Sequence, residues 1–275
     1  MSKERVHILG ICGTFMGGLA LMGKEKGIEI SGCDENIYPP MSDHLKDMGI
    51  EIIEGYDSSD LPVADYYVIG NSISRGNPAL EYLLSKKSNL ISGPEWLYDS
   101  VIKDKKVIAV SGTHGKTTTT SLIASIFAKA KLDPTIINGG VIKSLENSAR
   151  LGKSEWSILE SDESDGSFVK VPSTYAVVTN IDREHMDYYK SIDDLKKHFI
   201  KFMLKVPSFG KTFVCIDDKN NREVCKKSKI KNILTYGLNK KSNFKIKNIL
   251  FLKDKSFFDV EINLPNKKRS VLKKF

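Results

Sequence analysis

The sequence has few cysteines, and none is arranged as a metal site or a redox pair. Cys12, Cys33, Cys215 and Cys225 form no C-x-x-C pair and no metal-ligand spacing. We therefore expect reduced thiols in a cytoplasmic protein. The sequence also lacks the run of about 18 apolar residues that a membrane helix needs, and its N-terminus lacks the apolar segment of a signal peptide. Neither membrane insertion nor secretion is expected.

Positive charge accumulates towards the C-terminal part of the sequence. The formal net charge is +8, from 42 Lys and Arg against 34 Asp and Glu, and the surplus lies mostly from Lys219 onward. Because few aromatic side chains there are placed to stack on bases, the sequence predicts no nucleic-acid partner. A solvated, lysine-rich surface is the favoured interpretation. The length of 275 residues favours about two domains.

The segment from Val107 to Thr120, VIAVSGTHGKTTTT, is the most informative stretch. An apolar, β-branched run over 107–110 predicts a buried strand, and a helical pattern follows the glycine-rich turn. Strand, turn with Gly-Lys-Thr, then helix is the arrangement of a phosphate-binding loop, here a shorter variant of the common spacing. Its backbone N–H groups and the helix N-terminus would surround phosphate oxygens. A glycine-rich turn that merely contains a lysine is the alternative.

The N-terminal part resembles a second nucleotide-binding unit. A buried-strand pattern over 6–9 leads into the glycine-rich turn Gly10–Gly18 and an apolar helix, and a second strand ends at Asp34. An acidic residue about 20 to 25 positions after the first glycine is the Rossmann-like arrangement for ribose and pyrophosphate. The glycine spacing is imperfect, and Asp34 could equally be a turn residue. We predict a first domain over 1–104 and a phosphate-loop domain over 105–275.

Acidic and histidine-containing segments follow two later strands. Residues 156–159 predict a strand that ends in ESDESDGS, with four carboxylates in the six positions from Glu160 to Asp165. Such a cluster repels itself unless a cation or hydrogen-bond donors balance it, and Mg²⁺ near phosphates is a natural partner. A solvated acidic turn is the alternative. Another strand, 175–179, leads into NIDREHMD, which places His185 at a strand's C-terminal end.

In combination these segments resemble the Mur ligases, ATP-dependent enzymes that add amino acids or peptides to UDP-N-acetylmuramic acid in peptidoglycan synthesis. The resemblance rests on HILGICGTFMGG, GTHGKTTTT, ESDESDGSF and TNIDREHMDYY, in that order, and covers residues 6 to 240. It implies an α/β fold: a Rossmann-like UDP-sugar-binding domain followed by a P-loop ATP-binding central domain. The family has a third domain for the incoming amino acid or peptide, and nothing after Asn239 resembles it. We therefore expect a truncated central domain, no C-terminal domain and poor turnover.

The resemblance also implies a mechanism and its residues. ATP phosphorylates the substrate carboxylate, an amine attacks the acyl phosphate, and phosphate leaves as the amide forms. Lys116 would stabilise the transferring phosphoryl group and Thr117 would hold one Mg²⁺, while Glu160 and His185 would hold a second. The further residues assigned to ATP are Gly112, Thr113, His114, Gly115, Thr118 and Asn180. Those assigned to the UDP-sugar are Gly10, Gly13, Gly18, Asp34, Asn77, Asp165 and Ser167.

Two branches of the family match different parts of the chain. The first part resembles the recycling branch, which attaches L-alanyl-γ-D-glutamyl-meso-diaminopimelate, in GICGTFMGGLA, YPPMS, GNSISRGNP and SGPEWL. The part after the phosphate loop resembles the branch that adds L-alanine, in DESDGSF, TNIDREHMD and PSFGKTFVCIDD. We expect L-alanine to be the amine. The tripeptide ligase, a non-catalytic UDP-sugar- or ATP-binding fragment, and a kinase or simple ATPase remain as alternatives, and no oligomeric state follows from the sequence.

Overall fold

The computed structural model describes residues 3–142, 147–170, 172–265 and 267–273. By its internal packing the chain forms two compact units that are interleaved in sequence. The first consists of Met1–Val107 and Thr117–Glu160, and the second of Ile108–Lys116 and Ser161–Phe275. The division into a first domain over 1–104 and a second over 105–275 stays a prediction.

The first unit contains a parallel sheet of five strands, in the order β3-β2-β1-β4-β5. These strands are β1 (Arg5–Leu9), β2 (Glu29–Asp34), β3 (Glu51–Glu54), β4 (Tyr66–Ile69) and β5 (Leu90–Ser92). The helices between and after them are α1 (Thr14–Glu25), α2 (Met41–Asp47), α3 (Pro78–Ser85) and α4 (Gly93–Leu97), followed by a π-helical turn, Tyr98–Ile102. Alternation of strand and helix with this strand order is the doubly wound arrangement of a Rossmann-like fold, so the predicted fold class is confirmed.

The strand β6 (Lys106–Ser111) begins in the first unit and ends in the second. The first unit also holds most of α5 (Lys116–Lys129) and three further strands, β7 (Thr135–Ile142), β8 (Asn147–Arg150) and β9 (Trp156–Glu160). β7 pairs with β9 in parallel and with β8 in antiparallel. The helix α1 packs on β8 at Gly18, where a Cβ atom would lie 2.6 Å from the Ala149 Cβ. Only glycine permits this approach of helix to strand.

The second unit is built on the end of β6 and six further strands, in the order β6-β10-β11-β12-β13-β14-β15. These are β10 (Tyr175–Val178), β11 (Lys211–Cys215), β12 (Ile233–Gly237), β13 (Phe244–Phe251), β14 (Ser256–Ile262) and β15 (Ser270–Leu272). Pairs from β6 to β13 are parallel, and the last two are antiparallel. The helices α6 (Ile192–Leu204) and α7 (Lys219–Ser228) complete the unit.

The strands that position the site are short apolar runs buried along most of their length. Ile108, Ala109 and Val110 in β6 and Ala176, Val177 and Val178 in β10 are all buried, as expected for parallel strands covered on both faces. Parallel pairing brings the C-terminal ends of β6 and β10 side by side, with Ser111 opposite Val178. Among the described residues, each helix falls short of the length and apolar character that a membrane crossing demands.

Candidate functional site

The phosphate loop, defined here as Ser111–Lys116, follows β6 and packs tightly against the segment after β10. Gly112 has φ +139° and Gly115 has φ +79°, conformations that side-chain-bearing residues rarely adopt. A Cβ atom on Gly112 would collide with the Thr179 hydroxyl. Thr113 donates its N–H to the Asn180 carbonyl at 3.0 Å. Glycine is therefore required at position 112 for close approach as well as for backbone conformation.

The Asn180 side chain forms hydrogen bonds with the phosphate loop. Its Oδ1 accepts the His114 N–H at 2.9 Å, and its Nδ2 donates to the His114 carbonyl at 2.9 Å. The Thr179 hydroxyl donates to the same carbonyl at 2.7 Å. Both ends of the amide thus bond the main chain of one loop residue, His114, and Asn180 shapes the loop through its backbone.

The Lys116 ammonium group lies against a buried carboxylate. Its Nζ is 2.7 Å from Glu163 Oε2, 3.3 Å from the Thr113 carbonyl oxygen and 3.6 Å from Asp162 Oδ1. The Lys116 side chain is 13% exposed and that of Glu163 is fully buried. Burial raises the pKa of the Glu163 carboxyl group, and the adjacent Lys116 opposes that rise. The positive charge of Lys116 and the negative charge of Glu163 therefore compensate each other where both side chains are largely shielded from solvent.

His185 faces the same carboxylate from the other side. Its Nε2 lies 3.5 Å from Glu163 Oε1, a buried oxygen that accepts no hydrogen bond among the described residues. The His185 backbone has φ +56°, which is uncommon for a residue other than glycine. The Tyr189 hydroxyl donates to the Glu163 carbonyl oxygen. Glu163 therefore joins Lys116 to His185, a role that the sequence pattern did not assign to it.

Glu160 has different neighbours, all in the first unit. At the end of β9 its Oε1 accepts the Thr117 hydroxyl at 3.0 Å, and its Oε2 accepts the Gly139 N–H at 2.7 Å. Thr117 and Glu160, both predicted Mg²⁺ ligands, are thus brought together. In the structure Glu160 contacts Thr117, and His185 contacts Glu163. That Glu160 shares a cation with His185 stays a prediction.

The donor sets fit a cation that is held partly by a nucleotide. Within the described ranges, no three His, Cys, Asp or Glu side chains converge to form a metal site by themselves. Mg²⁺ usually takes one or two carboxylates and completes its shell with waters and substrate phosphates. Thr117 with Glu160 is one such partial set, and His185, which lies 3.5 Å from the Glu163 carboxylate, offers a further nitrogen ligand.

The glycine-rich turn of the first unit is closed by Asp34. Its Oδ2 accepts the Cys12 N–H at 2.9 Å, and its Oδ1 accepts the Asn36 N–H at 3.0 Å. Gly10 has φ +79° and donates its N–H to the Cys33 carbonyl. Asp34 is largely buried, so its contacts are those of a residue that organises the turn. The sequence left this interpretation open beside ribose binding.

The other residues assigned to the UDP-sugar are spread over several local structures. Gly13 precedes the first turn of α1 at the exposed end of the turn, whereas Gly18 lies inside α1 against β8. Asn77 caps α3 by accepting the Leu80 N–H at 3.1 Å. In the second unit, Asp165 Oδ1 accepts the Ser167 N–H at 2.9 Å. Sugar-nucleotide contacts of these residues stay predictions.

Comparison with known proteins agrees with this architecture. A family model described as "Mur ligase family, catalytic domain" matches residues 5–103, and one described as "Mur ligase middle domain" matches 110–271. The chain is 51% identical over 275 residues to the UDP-N-acetylmuramate--L-alanine ligase of Pelagibacter ubique, covering 98% of this chain and 58% of the relative. It is 41% identical over 227 residues to the UDP-N-acetylmuramate--L-alanyl-gamma-D-glutamyl-meso-2,6-diaminoheptandioate ligase of Escherichia coli K12, covering 80% of this chain and 50% of the relative.

A solved structure of a ligase of the second kind, from Neisseria meningitides, superposes with a TM-score of 0.88 at 33% identity, covering 95% of this chain and 85% of that one. The chain spans about half the length of the curated relatives that it matches.

Proposed function

Because the chain belongs to the Mur ligase family, we propose that it carries the nucleotide-binding part of an ATP-dependent ligase. The reaction joins the lactyl carboxylate of UDP-N-acetylmuramate to L-alanine, with ADP and phosphate as the other products. The observation that supports this best is the cluster of Lys116, Glu163 and His185 beside the phosphate loop. It places the Lys116 ammonium group and the His185 imidazole around one buried carboxylate, and cationic and metal-binding groups of this kind stabilise a transferring phosphoryl group.

The phosphate loop binds ATP through its backbone and through Lys116. Backbone N–H groups at the start of α5 would donate to the β- and γ-phosphates, and the helix dipole favours their negative charge. Lys116 leaves the Glu163 carboxylate and donates to phosphate oxygens as the γ-phosphoryl group moves to the substrate carboxylate. The acyl phosphate formed in this step is then attacked by the amine of L-alanine. Phosphate leaves from the tetrahedral adduct, and the amide bond forms.

Three side chains would hold Mg²⁺. Thr117 with Glu160 would hold one ion, and His185 would bind a second. Bound Mg²⁺ would neutralise charge on the non-bridging phosphate oxygens. The protein's own contribution is to keep Glu160 fixed, because the Gly139 N–H donates to its carboxylate.

The first unit would bind the UDP portion of the substrate. The turn Gly10–Gly13 leads into α1, so backbone N–H groups at the helix N-terminus can donate hydrogen bonds to a pyrophosphate. Asp34 keeps this turn closed by accepting the Cys12 N–H. This assignment makes the glycine-rich turn a sugar-nucleotide site.

L-Alanine is proposed as the amine because the relative that matches 98% of the chain carries L-alanine in its name. The tripeptide L-alanyl-γ-D-glutamyl-meso-diaminopimelate is the second candidate, since the Escherichia coli relative and the Neisseria meningitides structure are ligases for that peptide.

A competition experiment tests the choice. The chain is incubated with Mg-ATP, UDP-N-acetylmuramate, L-alanine and the tripeptide together. Its concentration is similar to that of its substrates, because slow turnover is expected. Mass spectrometry then identifies the amide. We expect UDP-N-acetylmuramoyl-L-alanine; the tripeptide product alone would favour the recycling reaction. ADP formation that is indifferent to UDP-N-acetylmuramate would indicate a simple ATPase.

A further inference from the structure

The segment that follows β10, residues 179–182, is hydrogen-bonded to the phosphate loop and is called the support segment here. The Asn180 carbonyl accepts the Thr113 N–H at 3.0 Å. The Asp182 N–H donates to the Thr113 hydroxyl at 2.8 Å. The position of the loop at Thr113 therefore depends on the position of the support segment.

The support segment is also hydrogen-bonded to the first turn of α7. Two of its carbonyl groups accept hydrogen bonds from two adjacent amide side chains of that turn. Asn221 Nδ2 donates to the Thr179 carbonyl at 3.2 Å, and Asn220 Nδ2 donates to the Ile181 carbonyl at 2.7 Å. The support segment thus lies between the phosphate loop and α7, and its polar main-chain groups are bonded to both.

Asn221 connects the support segment to two regular elements of the second unit. Its side chain is fully buried, and its Nδ2 also donates to the carbonyl of Cys215, the last residue of β11, at 2.8 Å. Its N–H donates at 2.6 Å to the side chain of Asp218, the residue that caps α7. The Thr179 carbonyl is therefore attached to a strand and a helix through one shielded amide.

We propose that Asn220 and Asn221 are positioning residues that hold the phosphate loop in its nucleotide-binding shape through the support segment. The inference rests on the proposed function, because it takes the phosphate loop to be an ATP site. Both amides act on the backbone of the support segment and touch neither nucleotide nor metal. Their loss lowers the fraction of molecules whose loop has the binding shape, and the apparent dissociation constant rises by the inverse of that fraction.

The test compares Asn221→Ala and Asn220→Ala with Asn232→Ala in the full chain. Asn232 is the matched control, because its Nδ2 also donates to two main-chain carbonyls, those of Pro207 and Gly210. It precedes β12, whereas the phosphate loop follows β6. Because the strands from β6 to β12 are parallel, these two places lie at opposite edges of the sheet.

Two readouts separate the role of the amides from the function of the site. Hydrogen exchange without nucleotide, measured by mass spectrometry on peptides of residues 107–120, reports the protection of the loop N–H groups. Calorimetric titration with Mg-ADP gives the dissociation constant. Loss of one ordinary hydrogen bond changes an equilibrium constant by about two- to tenfold. We expect a rise of about that size in the Mg-ADP dissociation constant and faster loop exchange for Asn220→Ala and Asn221→Ala, and neither change for Asn232→Ala.

The remaining outcomes overturn the proposal or the function on which it rests. Unchanged loop exchange in Asn220→Ala and Asn221→Ala overturns the proposal, as does unchanged Mg-ADP affinity or an equal effect of Asn232→Ala. Asn220 is half-buried, so Asn220→Ala provides the comparison even if Asn221→Ala does not fold. Absence of Mg-ADP binding by the unsubstituted chain would overturn the proposed nucleotide site, and loop exchange alone would then decide whether the two amides hold the loop.

Discussion

The Lys116 ammonium group lies 2.7 Å from the carboxylate of Glu163, a side chain with no exposed surface. Both groups belong to the second unit: Lys116 ends the phosphate loop, and Glu163 lies in the segment after β9. Removing one partner of such a pair leaves an uncompensated buried charge. The lysine that would bind phosphate therefore also compensates the buried negative charge of Glu163.

Replacement of Lys116 by methionine should affect both catalysis and stability. We expect ADP formation to fall by at least about 100-fold, because a donor to the transferring phosphoryl group is lost. Unfolding free energy should fall by about 3 kcal/mol, because Glu163 loses its partner. Urea denaturation and an ADP-release assay measure the two effects. Lys129→Met, at the other end of α5, is the control; an equal loss of stability there would contradict the explanation.

Two glycines of the phosphate loop should respond differently to alanine. Both have positive φ, but a Cβ on Gly112 meets the Thr179 hydroxyl, whereas a Cβ on Gly115 meets no atom within 4 Å. We expect Gly115→Ala to cost about 1 kcal/mol from backbone strain alone. Gly112→Ala should cost about 2–3 kcal/mol more, because overpacking is added. Equal destabilisation of the two variants in urea titrations would refute the steric role given to Gly112.

Asn180→Asp should weaken ATP binding. The substitution keeps the acceptor for the His114 N–H but places a second oxygen against the His114 carbonyl, where Nδ2 now donates. The lost hydrogen bond costs about 0.5–1.5 kcal/mol and the added negative charge repels the phosphates, so ATP affinity should fall by about tenfold or more. Calorimetric titration with an ATP analogue measures this. Asn239→Asp is the control. Asn239 Oδ1 accepts the Lys241 N–H, and a carboxylate oxygen can accept it equally, so the ATP affinity of this variant should match that of the unsubstituted chain.

The pH dependence of stability should report on His7 in β1. Burial lowers its pKa from 6.5 to about 4, so the unfolded chain binds the extra proton between these values and the folded chain does not. The contribution of neutral, buried His7 to stability is then fully present above pH 6.5 and is lost as the pH falls towards 4. The contribution lost between pH 7.5 and pH 5 is about 2 kcal/mol.

The measurement is urea unfolding at both pH values for the unsubstituted chain, His7→Gln and His44→Gln. Only His7→Gln, which removes the buried titrating group, should reduce the difference between the two pH values. His44 is exposed in α2, so its replacement should leave the difference unchanged. An undiminished difference in His7→Gln would show that other groups cause the acid sensitivity.

The strands near the site could be predicted from the sequence because their apolar runs are long enough to be distinctive. The runs at 6–9, 107–110, 156–159 and 175–179 correspond to β1, β6, β9 and β10. The choice between Glu160 and Glu163 could not be made in the same way. Glu160 ends β9 and Glu163 follows it within ESDESD, and an irregular segment has no periodicity that tells which carboxylate is buried.

Several polar residues were assigned to ligands although their side chains bond the protein's own backbone. Asn180 bonds His114, Asp34 bonds the Cys12 N–H, and Asn77 caps α3. Such partners lie in other segments or in a local turn, and a single sequence does not distinguish a polar side chain that shapes a loop from one that contacts a substrate. The interleaving of the two units is also a property of packing that no local pattern reports.

The most direct test of the proposed ligase chemistry follows an oxygen atom from substrate to phosphate. UDP-N-acetylmuramate labelled with a heavy oxygen isotope in its lactyl carboxylate is incubated with the chain, Mg-ATP and L-alanine, and the released phosphate is analysed by mass spectrometry. If the carboxylate attacks the γ-phosphorus and the acyl phosphate is then opened by the amine, the released phosphate carries the label. Unlabelled phosphate would mean that water attacks ATP, and it would contradict the assignment of this chain's phosphate loop to a ligase.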